Sequence, residues 1–201
     1  VVRFTGQASD TAGRNVAGVG DVDGDGDDDL LIGAPLNSDG GSYGGKSYFV
    51  SGDTALADSD AELDLSSDSD AAFYGGTWDD SGRVAKAGDI DADGYDDIMI
   101  GARWNQDSGY RYAGKICIFL GSSVRGFASG TEVPLSDADY SILGVADYTY
   151  AGESLAGIGD FDGDKYDDIL IGTTHAHNKT YLFSGASILG GAATRNISEA
   201  D

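Results

Sequence analysis

Three apolar tetrapeptides recur along the chain, and the same two features precede each of them. The tetrapeptides are Leu30-Leu-Ile-Gly33, Ile98-Met-Ile-Gly101 and Ile169-Leu-Ile-Gly172. Short apolar runs bounded by turn residues are typical of buried β-strands. An acidic loop precedes each tetrapeptide, and a run of small residues precedes each loop. These small-residue runs predict a first strand at Asn15–Gly20, Arg83–Gly88 and Ser154–Gly159.

Two further strands are predicted after each tetrapeptide. The third strand lies in Gly45–Gly52, Gly114–Gly121 and Lys179–Gly185, and the fourth in Ala61–Leu65, Thr131–Leu135 and Arg195–Ser198. Polarity rises from the first strand to the last, which predicts a central first strand and an exposed fourth strand. Pro134 agrees with this order, because proline in a sheet is confined to edges and bulges.

The repeat length indicates the architecture. The acidic loops begin at Asp21, Asp89 and Asp160, and the 32 glycines with only 2 prolines indicate an all-β chain with many tight turns. Four antiparallel strands per repeat of this length describe a β-propeller blade. A β-sandwich is the alternative, but it would not explain a strict repeat. We therefore predict one propeller segment, residues 1–201, with blades at about 1–70, 71–140 and 141–201.

The acidic loops predict calcium sites. Each loop places Asp at positions 1, 3, 5 and 9, and without a cation so many carboxylates in nine residues would repel strongly. Ca²⁺ takes six to eight oxygen ligands, which suits four Asp side chains, a backbone carbonyl and water. Solvated acidic turns are the alternative, which three copies in register disfavour. An EF-hand is excluded because position 12 is Ile32, Ile100 or Ile171 instead of Glu.

Each predicted site has four side-chain ligands and one carbonyl ligand. The carbonyls are those of Asp27, Tyr95 and Tyr166. The side chains are Asp21, Asp23, Asp25 and Asp29 in the first loop, Asp89, Asp91, Asp93 and Asp97 in the second, and Asp160, Asp162, Asp164 and Asp168 in the third. Position 6 needs a sharp turn that suits glycine, but Lys165 occupies it in the third loop. We therefore expect three Ca²⁺ sites, of which the third is the weakest.

The charge and composition exclude several functions. The 35 acidic and 12 basic residues give a formal charge of −23, and 16 of the acids lie in the three loops. Such a chain repels nucleic acid and anionic membranes, because proteins that bind either of them carry basic patches. No apolar run reaches the length that spans a membrane. Cys117 is the single cysteine and suits a core position, and the first residue is Val, which indicates a mature or excised segment.

The repeats resemble a known family. Val19-Gly-Asp-Val-Asp-Gly-Asp-Gly-Asp-Asp-Asp-Leu-Leu-Ile-Gly-Ala-Pro35, and the second copy from Phe73-Tyr-Gly-Gly to Ala102, resemble the FG-GAP repeat of integrin α-subunit propellers. The resemblance implies calcium cages between the first and second strands of a blade, and an extracellular or cell-surface location. This chain differs from the family pattern at the "FG" dipeptide, which is Phe4-Thr5 in the first copy and Tyr150-Ala151 in the third.

Three blades do not close a ring, because propellers typically have four to eight. The sequence is therefore either part of a longer propeller, completed by its remaining blades, or a protomer whose homodimer closes six blades. Both interpretations fit three whole repeats.

The predicted loops opposite the calcium ions are rich in aromatic residues, and we expect a ligand there. Aromatic residues and Arg are enriched at protein-binding hot spots, and aromatic faces also stack on sugars. Phe4, Phe73 and Tyr148 occupy similar points in the repeats and are assigned to packing, whereas the two tryptophans have no evident counterpart. The candidate ligand residues are Trp78, Trp104, Tyr110 and Tyr112.

The chain shows no nucleophile and base that would mark an enzyme. His175 and His177 could share a face and hold a transition metal, but a polar loop explains them more simply. We expect a non-enzymatic, calcium-binding adhesion module with a protein ligand. The alternative is a carbohydrate-binding or accessory propeller of a secreted polysaccharide-active enzyme, with a glycan ligand.

Overall fold

A computed structural model describes residues 1–57, 61–174 and 178–201. His175 and His177 lie outside these ranges. The helices are short and all follow strands: α1 (Gly52–Leu56), α2 (Leu65–Asp68), α3 (Gly121–Val124) and α4 (Gly185–Gly190), with 3₁₀ turns at Leu135–Asp137 and Ile197–Glu199. The strands are β1 (Arg3–Thr5), β2 (Asn15–Gly20), β3 (Asp29–Ala34), β4 (Lys46–Val50), β5 (Glu62–Asp64), β6 (Ala71–Tyr74), β7 (Ser81–Gly88), β8 (Asp97–Ala102), β9 (Lys115–Phe119), β10 (Thr131–Pro134), β11 (Tyr140–Leu143), β12 (Ser154–Gly159), β13 (Asp168–Gly172), β14 (Thr180–Phe183) and β15 (Thr194–Asn196).

The described strands form four sheets that follow the sequence repeat. Sheet I has the order β10-β6-β4-β3-β2, sheet II has the order β15-β11-β9-β8-β7, and sheet III has the order β12-β13-β14. A separate pair joins β1 and β5. Three strands that are consecutive in the chain form antiparallel neighbours in each sheet, namely β2–β4, β7–β9 and β12–β14. The first strands of these sets, β2, β7 and β12, pack side by side. This is the all-β arrangement of a partial β-propeller.

The segments predicted as fourth strands do not occupy the fourth antiparallel position of their own sheets. The fourth antiparallel strand is β6 in sheet I and β11 in sheet II. The segments expected there, now β5, β10 and β15, instead pair in parallel with β1, β6 and β11. Each repeat therefore crosses to the preceding sheet and adds a parallel outer strand to it. Pro134 lies on β10, the outermost strand of sheet I, in agreement with its predicted edge position.

This topology also changes which residues of the repeats correspond. Phe73 pairs opposite Ser47, and Ile142 pairs opposite Ile116 in the same manner. By this register, Ile142-Leu143 is the counterpart of Phe73-Tyr74 in the third repeat, and the sequence-based placement of Tyr150-Ala151 at that point is wrong. The sequence missed it because Ile142 and Leu143 replace aromatic residues at these points.

Apolar cores fill the spaces between neighbouring sheets. One core contains Leu31, Phe49 and Phe73 of sheet I together with Ile98 and Phe119 of sheet II. A second core joins sheets II and III, and a third joins sheet I to the β1–β5 pair. Cys117 is fully buried in the first core, as predicted. No described helix is long and apolar enough to cross a membrane.

Glycines set the close approach of these sheets. A β-carbon placed on Gly33 would lie 2.1 Å from the carbonyl oxygen of Gly82, and one on Gly101 would lie 2.2 Å from that of Gly152. Contacts this short are forbidden, so the backbones can meet only where the side chain is absent. The same glycine pair therefore sits at both junctions between sheets.

Candidate metal centres and ligand face

The three acidic loops lie at the same end of their sheets. They connect β2 to β3, β7 to β8 and β12 to β13. Each loop begins at a β-bulge whose last residue is a glycine with positive φ: Gly20 at 77°, Gly88 at 87° and Gly159 at 72°. A bulge bends its strand sharply, and here it turns the chain into the loop.

Within each loop, three carboxylates converge. Each of the three groups below has ligand-capable oxygen atoms that all lie within 4.8 Å of one another. The groups are Asp21, Asp23 and Asp25, then Asp89, Asp91 and Asp97, and finally Asp160, Asp162 and Asp168. An all-oxygen set of this kind suits a hard divalent cation such as Ca²⁺. Asp29, Asp93 and Asp164 fall outside these tight groups, and the carbonyls of Asp27, Tyr95 and Tyr166 remain predicted ligands.

Backbone amides hold the first Asp of each loop in place. The Gly24 amide donates to one oxygen of Asp21 at 2.7 Å, and the Gly26 amide donates to the other at 3.2 Å. The third loop repeats this arrangement, with Gly163 and Lys165 donating to Asp160 at 2.7 and 3.0 Å. The loop conformation therefore orients its carboxylates by hydrogen bonds of its own.

The ninth Asp anchors the loop from the inside. Asp97 is fully buried, and its two oxygens accept the amides of Ile90 and Gly121, both at 2.8 Å. Burial raises the pKa of Asp97 to about 8 and that of Asp29 to about 6. A buried carboxylate with a raised pKa gains strongly from a neighbouring cation, because the cation stabilises its charged form.

Two turn positions in each loop are left-handed. Position 6 has φ of 100° at Gly26, 94° at Gly94 and 84° at Lys165. Position 4 has φ of 80° at Gly24 and 57° at Ala92. Lys165 thus adopts the conformation that its two glycine counterparts adopt, with a side chain that disfavours it. Ala92 carries the same kind of strain in the second loop, which the sequence did not indicate.

The eighth residue of a loop reaches back to the preceding loop. The Asp21 amide donates to Asp96 at 3.1 Å, and the Asp96 amide donates to the Asp21 carbonyl at 3.1 Å. The Asp89 amide donates to Asp167 at 3.2 Å, and the Asp167 amide donates back at 3.1 Å. The sequence placed Asp96 and Asp167 in the loops without revealing that they clamp another loop.

Aromatic pairs form on the opposite end of the sheets. Tyr43 and Trp78 stack with ring centroids 4.9 Å apart, and Tyr112 and Tyr148 lie 5.8 Å apart. The amides of Trp78 and Tyr148 make corresponding hydrogen bonds to Ser42 and Arg111. Tyr148 is therefore the counterpart of Trp78 and not of Phe73, so the view that Trp78 has no counterpart in another repeat is wrong. Tyr43 and Trp78 are 45% and 49% exposed.

All four residues of these pairs have left-handed backbones. Their φ values are 55° at Tyr43, 69° at Trp78, 49° at Tyr112 and 60° at Tyr148. Bulky residues rarely adopt positive φ, and such outliers cluster at functional sites. No feature of the residue types could have predicted this conformation.

Trp104 borders a cleft beside the second aromatic pair. The cleft has a volume of about 290 Å³ and is lined by Arg103, Trp104, Tyr150, Glu153 and Thr174. Arg103 lies over the Trp104 ring at 5.1 Å and donates to Glu153 at 2.9 Å. The Trp104 ring centroid lies 6.0 Å from that of Tyr112, so the structure brings these two predicted ligand residues together. Tyr110 is exposed on the same loop as Tyr112.

Comparison with known proteins agrees with the repeat. The model of the FG-GAP repeat matches residues 12–50 and 81–116, which contain the first two acidic loops. Integrin alpha-4 of Xenopus laevis is 33% identical over 76% of this chain, and Integrin alpha-PS2 of Drosophila melanogaster is 30% identical over 84%. Integrin alpha-5 of Xenopus laevis is 30% identical over 89%. The chain spans 12% to 16% of the length of these relatives.

Proposed function

This chain belongs to the FG-GAP repeat family, and we propose that it is a calcium-stabilised, extracellular adhesion module that binds a protein ligand. The observation that carries the calcium assignment is the convergence of three carboxylates in each of three equivalent loops. One acidic cluster is common on any surface, but three clusters at the same point of a structural repeat are not explained by solvation alone.

A calcium titration tests this assignment. Single variants at loop position 3, namely Asp23→Asn, Asp91→Asn and Asp162→Asn, should each remove about one bound ion. Asp137→Asn is the matched control, because Asp137 is exposed and lies outside the loops. Calorimetry that gives the same number of ions for a loop variant and for the control would contradict the assignment.

The titration should also depend on pH. Without an ion, burial raises the pKa of Asp97 to about 8, so Asp97 is largely protonated at neutral pH. Calcium requires the ionised form, and binding therefore releases a proton. We expect calcium affinity to rise with pH up to about 8, and calorimetry in buffers with different protonation enthalpies would measure the released protons.

We place the ligand on the aromatic face, defined by Tyr43, Trp78, Tyr112 and Tyr148. Its two aromatic pairs are partly exposed and carried on backbone with positive φ. Rigid aromatic anchors lose little entropy on binding, which suits a protein hot spot. We therefore propose a binding role for this face rather than a catalytic one.

The cleft beside Trp104 favours the alternative, a glycan ligand. An aromatic wall next to the Arg103–Glu153 pair can stack on a sugar ring and hydrogen-bond to its hydroxyl groups. A carbohydrate-binding or accessory propeller of a secreted enzyme would use such a cleft.

A parallel screen separates the two ligand classes. Trp78→Ala should weaken binding to a protein partner, whereas Trp104→Ala should weaken binding to an oligosaccharide. Leu56→Ala is the control, because Leu56 is 70% exposed on α1 at the calcium end. Binding in either screen that neither tryptophan variant alters would contradict the assignment of this face.

A further inference from the structure

The first two calcium loops contact each other through a tyrosine ring. Tyr95 is position 7 of the second loop, and its ring lies against Gly24, which is position 4 of the first loop. A β-carbon on Gly24 would lie 2.2 Å from Cε1 and 2.9 Å from Cδ1 of the Tyr95 ring. The ring therefore occupies the space that a side chain would fill in the first loop.

Gly24 orients the first carboxylate of its loop. Its amide donates to Asp21 at 2.7 Å, and its backbone is left-handed with a φ of 80°. Glycine loses more conformational freedom on ordering than any other residue, so this conformation is costly for a loop without support. The Tyr95 ring restricts the space around Gly24 and so favours the conformation in which Asp21 is held.

The Tyr95 ring is itself held in place by sheet II. Arg125 follows α3 directly, with its guanidinium carbon 4.3 Å from the ring centroid, and it donates a hydrogen bond to the Tyr95 hydroxyl. A guanidinium over an aromatic face is attracted to it. A β-carbon on Gly121 would lie 2.7 Å from the β-carbon of Tyr95, so the helix start also packs against this residue. The position of the ring is thus set from both ends of α3.

Two hydrogen bonds join the same two loops. The Asp21 amide donates to the Asp96 side chain, and the Asp96 amide donates to the Asp21 carbonyl, both at 3.1 Å. Asp96 stands between Tyr95 and Asp97, whose carbonyl and side chain are predicted ligands of the second ion. A residue between two ligands loses its freedom when both hold the same ion. The second site is therefore in direct contact with the first ligand of the first site.

The junction between the second and third loops has the hydrogen bonds but lacks the space for a ring. The two inter-loop hydrogen bonds recur there at 3.2 and 3.1 Å. Position 4 of the second loop is Ala92, however, and its methyl group excludes a ring from the place that the Tyr95 ring takes beside Gly24. Leu189 of α4 stands where α3 is followed by Arg125. The ring contact thus distinguishes the junction between the first and second loops.

We propose that calcium in the second loop increases the affinity of the first loop for its own ion, and that Tyr95 is the positioning residue for this coupling. The inference rests on the calcium assignment proposed above. An ion in the second loop fixes Asp96 and the Tyr95 ring, so less ordering of Asp21 and Gly24 remains when the first ion binds. By thermodynamic reciprocity, an ion in the first loop increases the affinity of the second loop by the same factor.

Calorimetric calcium titration tests the coupling. Asp162→Asn removes the third site from every chain, and adding Asp23→Asn or Asp91→Asn leaves a single site whose own binding constant is measured. The overall constant of the two-site chain should exceed the product of the two single-site constants at least about fivefold. Salt at about 0.15 M reduces the repulsion between the two ions, which acts against the coupling.

Variants at position 7 test the ring. Tyr95→Ala keeps the carbonyl ligand and should lower the excess to about twofold or less, with the single-site constant of the second loop unchanged. Tyr95→Phe keeps the ring and should retain most of the excess. Tyr166→Ala is the matched control, because it removes the same side chain at the same position of the third loop, and it should leave the excess unchanged.

Hydrogen exchange gives a readout that needs no ion in the first loop. In Asp23→Asn, which lacks the first site, calcium should slow exchange of the Gly24 amide more than that of the Gly109 amide, which lies in the loop between β8 and β9 at the opposite end of sheet II. Adding Tyr95→Ala should abolish this difference, because the ring no longer restricts Gly24.

The possible failures are distinct. A two-site constant that equals the product of the single-site constants, or falls below it, would overturn the coupling even if every predicted ion binds. An excess that survives Tyr95→Ala, or that Tyr95→Phe loses to the same extent, would overturn the role of the ring. The calcium assignment itself fails differently, because Asp23→Asn and Asp91→Asn would then bind as many ions as the Asp137→Asn control.

Discussion

The second and third calcium loops share one sequence pattern but differ in what surrounds them. Asp89 is clamped by Asp167, and Ile90 is buried against sheet III. Asp160 and Phe161 hold the same positions without cover from a following sheet. The local residues thus define the cage of carboxylates, whereas the neighbouring sheet provides its support. A calcium site in this repeat is a property of two adjacent sheets.

Among the changes that test this difference between the second and third loops, removal of calcium should have the largest effect on stability. A ligand that binds only the folded protein stabilises it by about 2.7 kcal/mol per site at 100 times its dissociation constant. We expect a chelator to lower the melting temperature, with the third loop opening before the first two in hydrogen exchange. Equal protection of the second and third loops after chelation would show that the neighbouring sheet contributes nothing.

Truncation at position 2 should have the next largest effect. Ile90→Ala removes a fully buried side chain and should lower the free energy of unfolding by about 2–5 kcal/mol. Phe161→Ala should change it by less than about 0.5 kcal/mol, as expected for an exposed position. Chemical denaturation measures both values, and a large loss for Phe161→Ala would contradict its exposed placement.

Loss of the hydrogen bond between the Asp89 amide and the Asp167 side chain should have the third largest effect on stability. Asp167→Asn weakens a charged hydrogen bond to the Asp89 amide and should destabilise the protein by about 1.5–3 kcal/mol. Asp28→Asn is the matched change at the same position of the first loop, where Asp28 is exposed, and should be nearly neutral. Calcium affinity of the second loop should also fall in Asp167→Asn, and an unchanged affinity would separate the clamp from the site.

Relief of the strained turns should have the smallest effect. Lys165→Gly and Ala92→Gly each replace a left-handed residue and should each raise the free energy of unfolding by about 1 kcal/mol. Only Lys165→Gly also removes a positive charge near the ion, so it alone should tighten calcium binding. If both variants tightened binding equally, backbone strain rather than charge would set the affinity of the third loop.

The sequence predicts the first three strands of each repeat well, because bulges, loops and apolar runs have clear residue patterns. The predicted position of the fourth strand is wrong for a physical reason. Both β6 and β10 are short and follow polar turns, and the residue types do not indicate which one pairs with β4 and which one crosses to the neighbouring sheet.

The site could be predicted only in part for a similar reason. Carboxylate spacing indicates a cage, and the structure gathers three of the predicted side chains in each loop. The contacts of Asp96 and Asp167 join residues 75 and 78 positions apart. The left-handed aromatic pairs depend on backbone angles that Tyr and Trp ordinarily avoid. Neither feature has a local signal in the sequence.

The parallel outer strands have a consequence for synthesis on the ribosome. Sheet I is completed by β10, whose last residue, Pro134, lies 60 residues after Tyr74 at the end of β6. At about 5–20 residues per second, the edge of β6 waits on the order of 3–12 s for its partner. During that time the nascent chain exposes unpaired backbone groups that can capture a strand of another chain. Each sheet is therefore completed only after most of the next repeat has been synthesised, and slow translation lengthens the time for which its edge strand is unpaired.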